Sequence, residues 1–145
     1  MIRPAAGADV PELAALWERY RDEAGDTRCA DDATWRRWIL PRISAGDVRV
    51  GMVERTPAAY VAWQRRAVAG TPPTLRILEL YVHPDGRGQR LGSGLLARAI
   101  DAARARNCEL VELVANVHGD GVQALAGSFG FELADDVLRL RLQRR

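Results

Sequence analysis

The chain has 145 residues, 48% of them hydrophobic and 28% charged, a length and mix that can bury a proper core in one domain without disulfides or metals. Its formal net charge of +2 is too small to argue for nucleic acid. All 21 basic residues are arginine, which excludes a lysine nucleophile, a Schiff base and a Gly-Lys-Ser/Thr phosphate loop.

Ile2 to Ala5 is a short strand candidate, and Asp9-Val10-Pro11-Glu12 follows with capping-box spacing and proline in the first turn. Val10, Leu13, Leu16, Trp17 and Tyr20 then recur at three and four residues, which predicts a helix over Asp9 to Glu23. A second helix is predicted from about Asp32, with Trp35, Trp38, Ile39 and Ile43 on one face and Ser44-Ala45-Gly46 ending it. From Asp47 the period changes to two. Val48, Val50 and Met52 alternate, and after Thr56-Pro57 the stretch Ala59 to Val68 continues in the same style, so a hairpin is expected. Gly70-Thr71-Pro72-Pro73 makes a turn before a strand from Leu75 to His83. Leu95, Leu96, Ala99, Ile100 and Ala103 keep helical spacing up to Asn107. Leu110 to Val117 is a nearly continuous apolar run that reads as a largely buried strand. Asp120 and Gln123 open a short helix ended by Gly130, and Val137 to Leu142 is the last strand. The expected order is β-α-α-β-β-β-α-β-α-β.

Cys29 and Cys108 have no ligands at metal spacing, so reduced thiols are expected and no zinc site. His83 and His118 are single histidines, and no metal is expected at either. No stretch has signal-peptide character or membrane-spanning length, so a cytoplasmic protein without a membrane role is expected. The aromatic set Trp17, Tyr20, Trp35, Trp38, Tyr60 and Trp63 is expected mainly to fill the core, with an acceptor pocket as the alternative.

The most informative run is Leu80-Tyr81-Val82-His83-Pro84-Asp85-Gly86-Arg87-Gly88-Gln89-Arg90-Leu91-Gly92-Ser93. It reads as a strand, a Gly/Arg-rich loop and a helix start. N-H groups of such a loop and of the first helical turn lack intrahelical partners and converge on an anion, with the helix dipole and two arginines adding attraction. Gly92-Ser93-Gly94-Leu95-Leu96-Ala97 also satisfies a dinucleotide fingerprint, but it lies nine residues beyond His83 rather than directly after the strand.

The same run resembles the acetyl-CoA-binding motif of the GNAT family, the Gcn5-related N-acetyltransferases, whose pattern is Gln/Arg-x-x-Gly-x-Gly/Ala. Arg87, Arg90 and Gly92 stand at its first, fourth and sixth places. Arg90 departs from the pattern, and as a helix-initiating residue it is expected at negative φ. The resemblance extends over nearly the whole chain and implies a single α/β domain with a mixed, mostly antiparallel sheet flanked by helices. It implies acetyl-CoA as cosubstrate, with its pantetheine arm beside Leu80, Tyr81 and Val82 in the gap before the next strand. A main-chain N-H near Val82 would meet the thioester oxygen. The pyrophosphate would rest on backbone groups of Arg87, Gly88, Gln89, Arg90, Leu91, Gly92 and Ser93. Direct transfer to a primary amine is implied, on a small molecule or a protein N-terminus, and homodimers are common among relatives.

An alkyl amine must lose a proton before it attacks, and Glu79, on the strand beside the implied thioester site, is the candidate base, with a structural or solvated strand residue as the alternative reading. Relatives often carry a Tyr as acid to the departing thiolate, and Ala126 stands at its place. Tyr81, His118 or water could substitute. Three classes stay open: an acetyltransferase, a CoA-binding module without efficient catalysis, and an interaction scaffold without CoA.

Overall fold

The computed structural model describes residues 1–24, 29 and 31–143, without the side chains of 114–120. The elements in chain order are β1 (Ile2–Pro4), α1 (Val10–Ala24), α2 (Asp32–Ser44), β2 (Val48–Val53), β3 (Thr56–Arg66), β4 (Thr74–Val82), α3 (Leu91–Ala105), β5 (Leu110–Val114), α4 (Ala115–Ser128), β6 (Glu132–Ala134) and β7 (Val137–Arg141). They form one seven-stranded sheet in the order β1-β2-β3-β4-β5-β7-β6. Every neighbouring pair is antiparallel except β4 and β5, whose parallel pairing follows from the α3 crossover between them.

Each sheet face buries its own core. On one face Val61, Trp63, Leu75, Ile77, Leu80, Val111 and Leu113 pack with Leu95, Leu96, Ala99 and Ala103 of α3 and Ala126 of α4. On the other, Val48, Val50, Tyr60, Ala62 and Tyr81 pack with Leu13, Trp17 and Tyr20 of α1 and Trp35 and Ile39 of α2. The predicted apolar stripes of α1 and α3 are the buried ones. Helix α2 starts where Asp31 accepts a hydrogen bond from the Thr34 N-H at 2.8 Å, an N-cap that satisfies one orphan donor.

Four details differ from the expectations. The strand expected to run to Val117 stops at Val114, and α4 starts at once rather than near Asp120; a short apolar run fits a buried helix as well as a strand. Strand β6 was not expected. It pairs with β7 across Asp135-Asp136, with Asp135 at φ 58°, a two-residue turn lacking the glycine that usually marks one. The turn before β3 falls at Glu54-Arg55, with Glu54 at φ 56°, so Thr56 and Pro57 belong to the strand. Arg90 has φ 62° and not the negative value expected of it. As the N-cap it lies outside the helical dihedrals that begin at Leu91, and the left-handed conformation there costs about 1 kcal/mol.

Two irregularities of β4 shape the space beside its C-terminal half. Ala62 faces Glu79 and Trp63 faces Ile77, so Leu78 has no counterpart on β3 and forms a bulge. The parallel pairing with β5 runs only from Thr74 and Leu110 to Ile77 and Leu113. Beyond Ile77 the pairing ends, and β5 itself ends one residue later, at Val114, so the C-terminal half of β4 has no strand partner on this side.

Candidate functional site

The His83 N-H donates to the Ala58 carbonyl at 2.8 Å. The alternation of an antiparallel ladder then turns the main-chain groups of Leu80 and Val82 away from β3, towards the gap that β5 has left. The Val82 carbonyl takes one such bond, from Arg87 Nε at 3.1 Å, which ties the loop back onto the strand.

A cavity of about 800 Å³ opens at this gap. Leu80, Tyr81 and Val82 of β4 form one wall, and Gly121, Val122 and Leu125 of α4 form another. The floor is the loop and helix start, with Gly86, Arg87, Gly88, Arg90, Leu91, Gly92 and Ser93. Tyr20, Glu23 and Ala24, at the end of α1, close the remaining side.

Three glycines of the floor serve different ends. Gly88 has φ 84°, a conformation side chains resist. Gly86 is buried, and a Cβ there would lie 3.1 Å from Leu91 Cδ1 and 3.2 Å from Ala58 Cβ, so its lack of a side chain lets the loop pack down. Gly92 keeps the floor low: a Cβ would stand 3.2 Å from Leu125 Cδ2 and 3.6 Å from Val82 Cγ2. Together with the first N-H groups of α3 and the guanidinium groups of Arg87 and Arg90, this floor suits a phosphate-bearing ligand. The apolar walls suit an extended, largely uncharged arm.

Nine of the ten residues expected at the cofactor line this cavity. Gln89 does not; its amide donates instead to the Asp85 carbonyl at 3.5 Å. His83 serves the loop, its Nδ1 accepting the Asp85 N-H at 3.0 Å as a cap. Among the described residues no group of His, Cys, Asp and Glu could hold a metal. The side chain of His118 lies outside the described residues.

Glu79 is not in the cavity wall. It is 3% exposed, and its Oε1 accepts hydrogen bonds from Trp35 Nε1 at 3.0 Å and the Tyr60 hydroxyl at 2.9 Å. Trp35 stacks on Trp17 and meets Tyr60 edge to face. Burial, and then the Glu79 charge, push the Tyr60 phenol well above its ordinary value, so it remains a donor. Of the aromatic set, Trp17, Trp35, Tyr60 and Trp63 are fully buried core residues, while Tyr20 reaches the cavity. Ala126, at the place of the expected acid, is also fully buried.

The sequence alone does not single out Glu23. Its carboxylate spans two sides of the cavity: Oε1 accepts the Tyr81 hydroxyl and Oε2 pairs with Arg87 Nη2, each at 3.1 Å. The Tyr81 phenol is raised by burial and by its bond to Glu23, against the opposing pull of Arg19. One signal was present, since a carboxylate in the last turn of a helix opposes the macrodipole.

The acetyltransferase (GNAT) family model matches residues 10–131. An uncharacterized N-acetyltransferase of Methanocaldococcus jannaschii is 31% identical over 109 residues, 68% of this chain and 46% of that protein. One of Archaeoglobus fulgidus is 28% identical over 123 residues, 77% of this chain and 79% of that protein. The chain thus spans about half the length of the first of these relatives. Among solved structures, a ribosomal-protein-alanine N-acetyltransferase from Brucella melitensis superposes with a TM-score of 0.74 at 25% identity, over 98% of this chain and 99% of that one. A Salmonella typhimurium protein, solved with its cofactor acetyl-CoA, has the same fold, with a TM-score of 0.78 at 22% identity over 100% of this chain and 95% of its own. With the family model covering most of its length, the chain belongs to the GNAT acetyltransferase family.

Proposed function

We propose that the cavity binds acetyl-CoA and that the protein transfers the acetyl group directly to a primary amine, on a small molecule or a protein N-terminus. The observation that carries this reading is the coincidence of two features at one cavity. The floor from Arg87 to Ser93 presents helix N-H groups and two arginines, and the wall from Leu80 to Val82 turns main-chain groups into the gap beyond the end of β5. The diphosphate would rest on the floor and the pantetheine amides would pair with β4 as an added strand does. A main-chain N-H of this wall, near Val82, would face the thioester oxygen and strengthen its hold as charge develops there.

A second reading, a CoA-binding module without efficient turnover, draws on Ala126: a fully buried methyl group offers the departing thiolate no proton. A thiol with an ordinary pKa of about 8.5 leaves tolerably without one, so the transferase reading stands. No helix among the described residues is long and apolar enough to cross a membrane, and the buried Cys29 and Cys108, which form no disulfide, suit a reducing cytoplasm. A homodimer is compatible with this fold. Release of free thiol from acetyl-CoA across a panel of primary amines tests the reading. Amine-dependent release supports the transferase; acetyl-CoA binding with no release on any amine supports the module.

A further inference from the structure

Acetylation of an alkyl amine needs a group that takes the acceptor's proton, because the ammonium form has no lone pair. Glu79 is separated from the cavity by its own burial under Trp35 and Tyr60. Among the described residues lining the cavity, Glu23 is the one carboxylate. Its side chain is 44% exposed, and one oxygen accepts from Tyr81 and the other from Arg87, while a carboxylate oxygen can accept two bonds. The charged and titratable groups facing it are Arg87 from the loop, Tyr81 from β4 and Tyr20 from α1, and Arg19 of α1 reaches the Tyr81 hydroxyl.

We infer that Glu23, rather than Glu79, is the catalytic base that takes the proton from the acceptor ammonium in the transfer proposed above, on which this inference rests. The Glu23–Arg87 pair is half-exposed on both sides and therefore exchangeable. Glu23 takes one proton from the ammonium. The neutral nitrogen attacks the thioester carbonyl carbon, a C–N bond forms, and the C–S bond breaks as the tetrahedral adduct collapses. The second nitrogen proton passes to the thiolate, giving free CoA thiol and an amide, and Glu23 returns its proton to solvent.

The test uses the full chain with acetyl-CoA and two kinds of nucleophile: alkyl amines such as putrescine and alanine amide, and hydroxylamine, whose nitrogen is already neutral at pH 7. Glu23→Gln is expected to lower kcat/KM for alkyl amines about 100-fold at pH 7, with activity returning as the pH approaches the amine's own pKa. Glu23→Asp restores part of the rate, and hydroxylamine is acetylated equally by wild type and variant. Two results overturn the inference while leaving the acetyl-transfer reading in place: an unchanged pH 7 rate in a Glu23→Gln protein that binds acetyl-CoA, or a loss equal at every pH and with both nucleophiles. A wild-type protein that binds no acetyl-CoA, or turns over no amine, rejects the acetyl-transfer reading itself and the inference with it.

Discussion

The floor of the cavity and the buried cluster around Glu79 lie on adjoining parts of the same strand and loop, yet they use polar groups in opposite ways. At the start of α3 the donors face the cavity: the first N-H groups of the helix have no intrahelical partner, and Arg87 and Arg90 line the same floor, Arg87 tied to Val82 and Glu23. At Glu79 an acceptor is enclosed and met by Trp35 and Tyr60. An open set of donors binds an anion, whereas a closed set of partners holds helix α2 to the sheet. A single residue decides which side of that line Glu79 falls on. In a regular strand it would share a face with Leu75 and Ile77, towards α3. The bulge at Leu78 shifts the parity and turns Glu79 and Tyr81 towards α1 and α2.

Substituting Gly92 breaks the open side most severely. Gly92→Glu sets bulk against Leu125 and Val82 and adds an anion where the diphosphate would sit. Acetyl-CoA affinity is expected to fall about 100-fold or more, with circular dichroism and Tm near wild type. The closed side responds in stability instead of affinity. Glu79→Ala leaves the Trp35 indole and the Tyr60 hydroxyl without this acceptor and is expected to cost about 3 kcal/mol of stability. Urea unfolding measures that loss, and acetyl-CoA affinity in the folded variant should change little. A Glu79→Ala protein of wild-type stability but without amine turnover would return the base to Glu79.

Arg87→Gln removes a cation from the floor and is expected to weaken acetyl-CoA about tenfold, with a shallower salt dependence. Titration calorimetry at two ionic strengths reads both. The smallest effect is the most diagnostic of local conformation. Arg90→Gly relieves a left-handed backbone and should stabilise the fold by about 1 kcal/mol, while losing a few-fold in acetyl-CoA affinity. A destabilised Arg90→Gly would show that the arginine side chain contributes more than its backbone costs.

The loop was legible because its signals are local: a strand, then glycines and arginines at fixed offsets, then an apolar period of 3.6. The stripes of α1 and α3 were legible for the same reason. Arg90 misled because the expectation treated it as the first helical residue, whereas the chain reaches the helix through a left-handed N-cap. The start of α4 was hidden in an apolar run without a period, and β6 in an Asp-Asp turn without glycine. The place of Glu79 could not be read from alternation along β4, because one extra residue reverses the faces and nothing local to Leu78 announces it. Glu23 needed the fold: only the approach of α1 to β4 and the loop brings its carboxylate to Tyr81 and Arg87.

Binding of acetyl-CoA in the cavity between β4 and the α3 N-terminus is the central claim. Titration calorimetry of acetyl-CoA into the wild-type protein and into Gly92→Glu tests it most directly. One saturable site per chain in the wild type, lost in a folded Gly92→Glu, is the result predicted; equal affinity in the two proteins would contradict it.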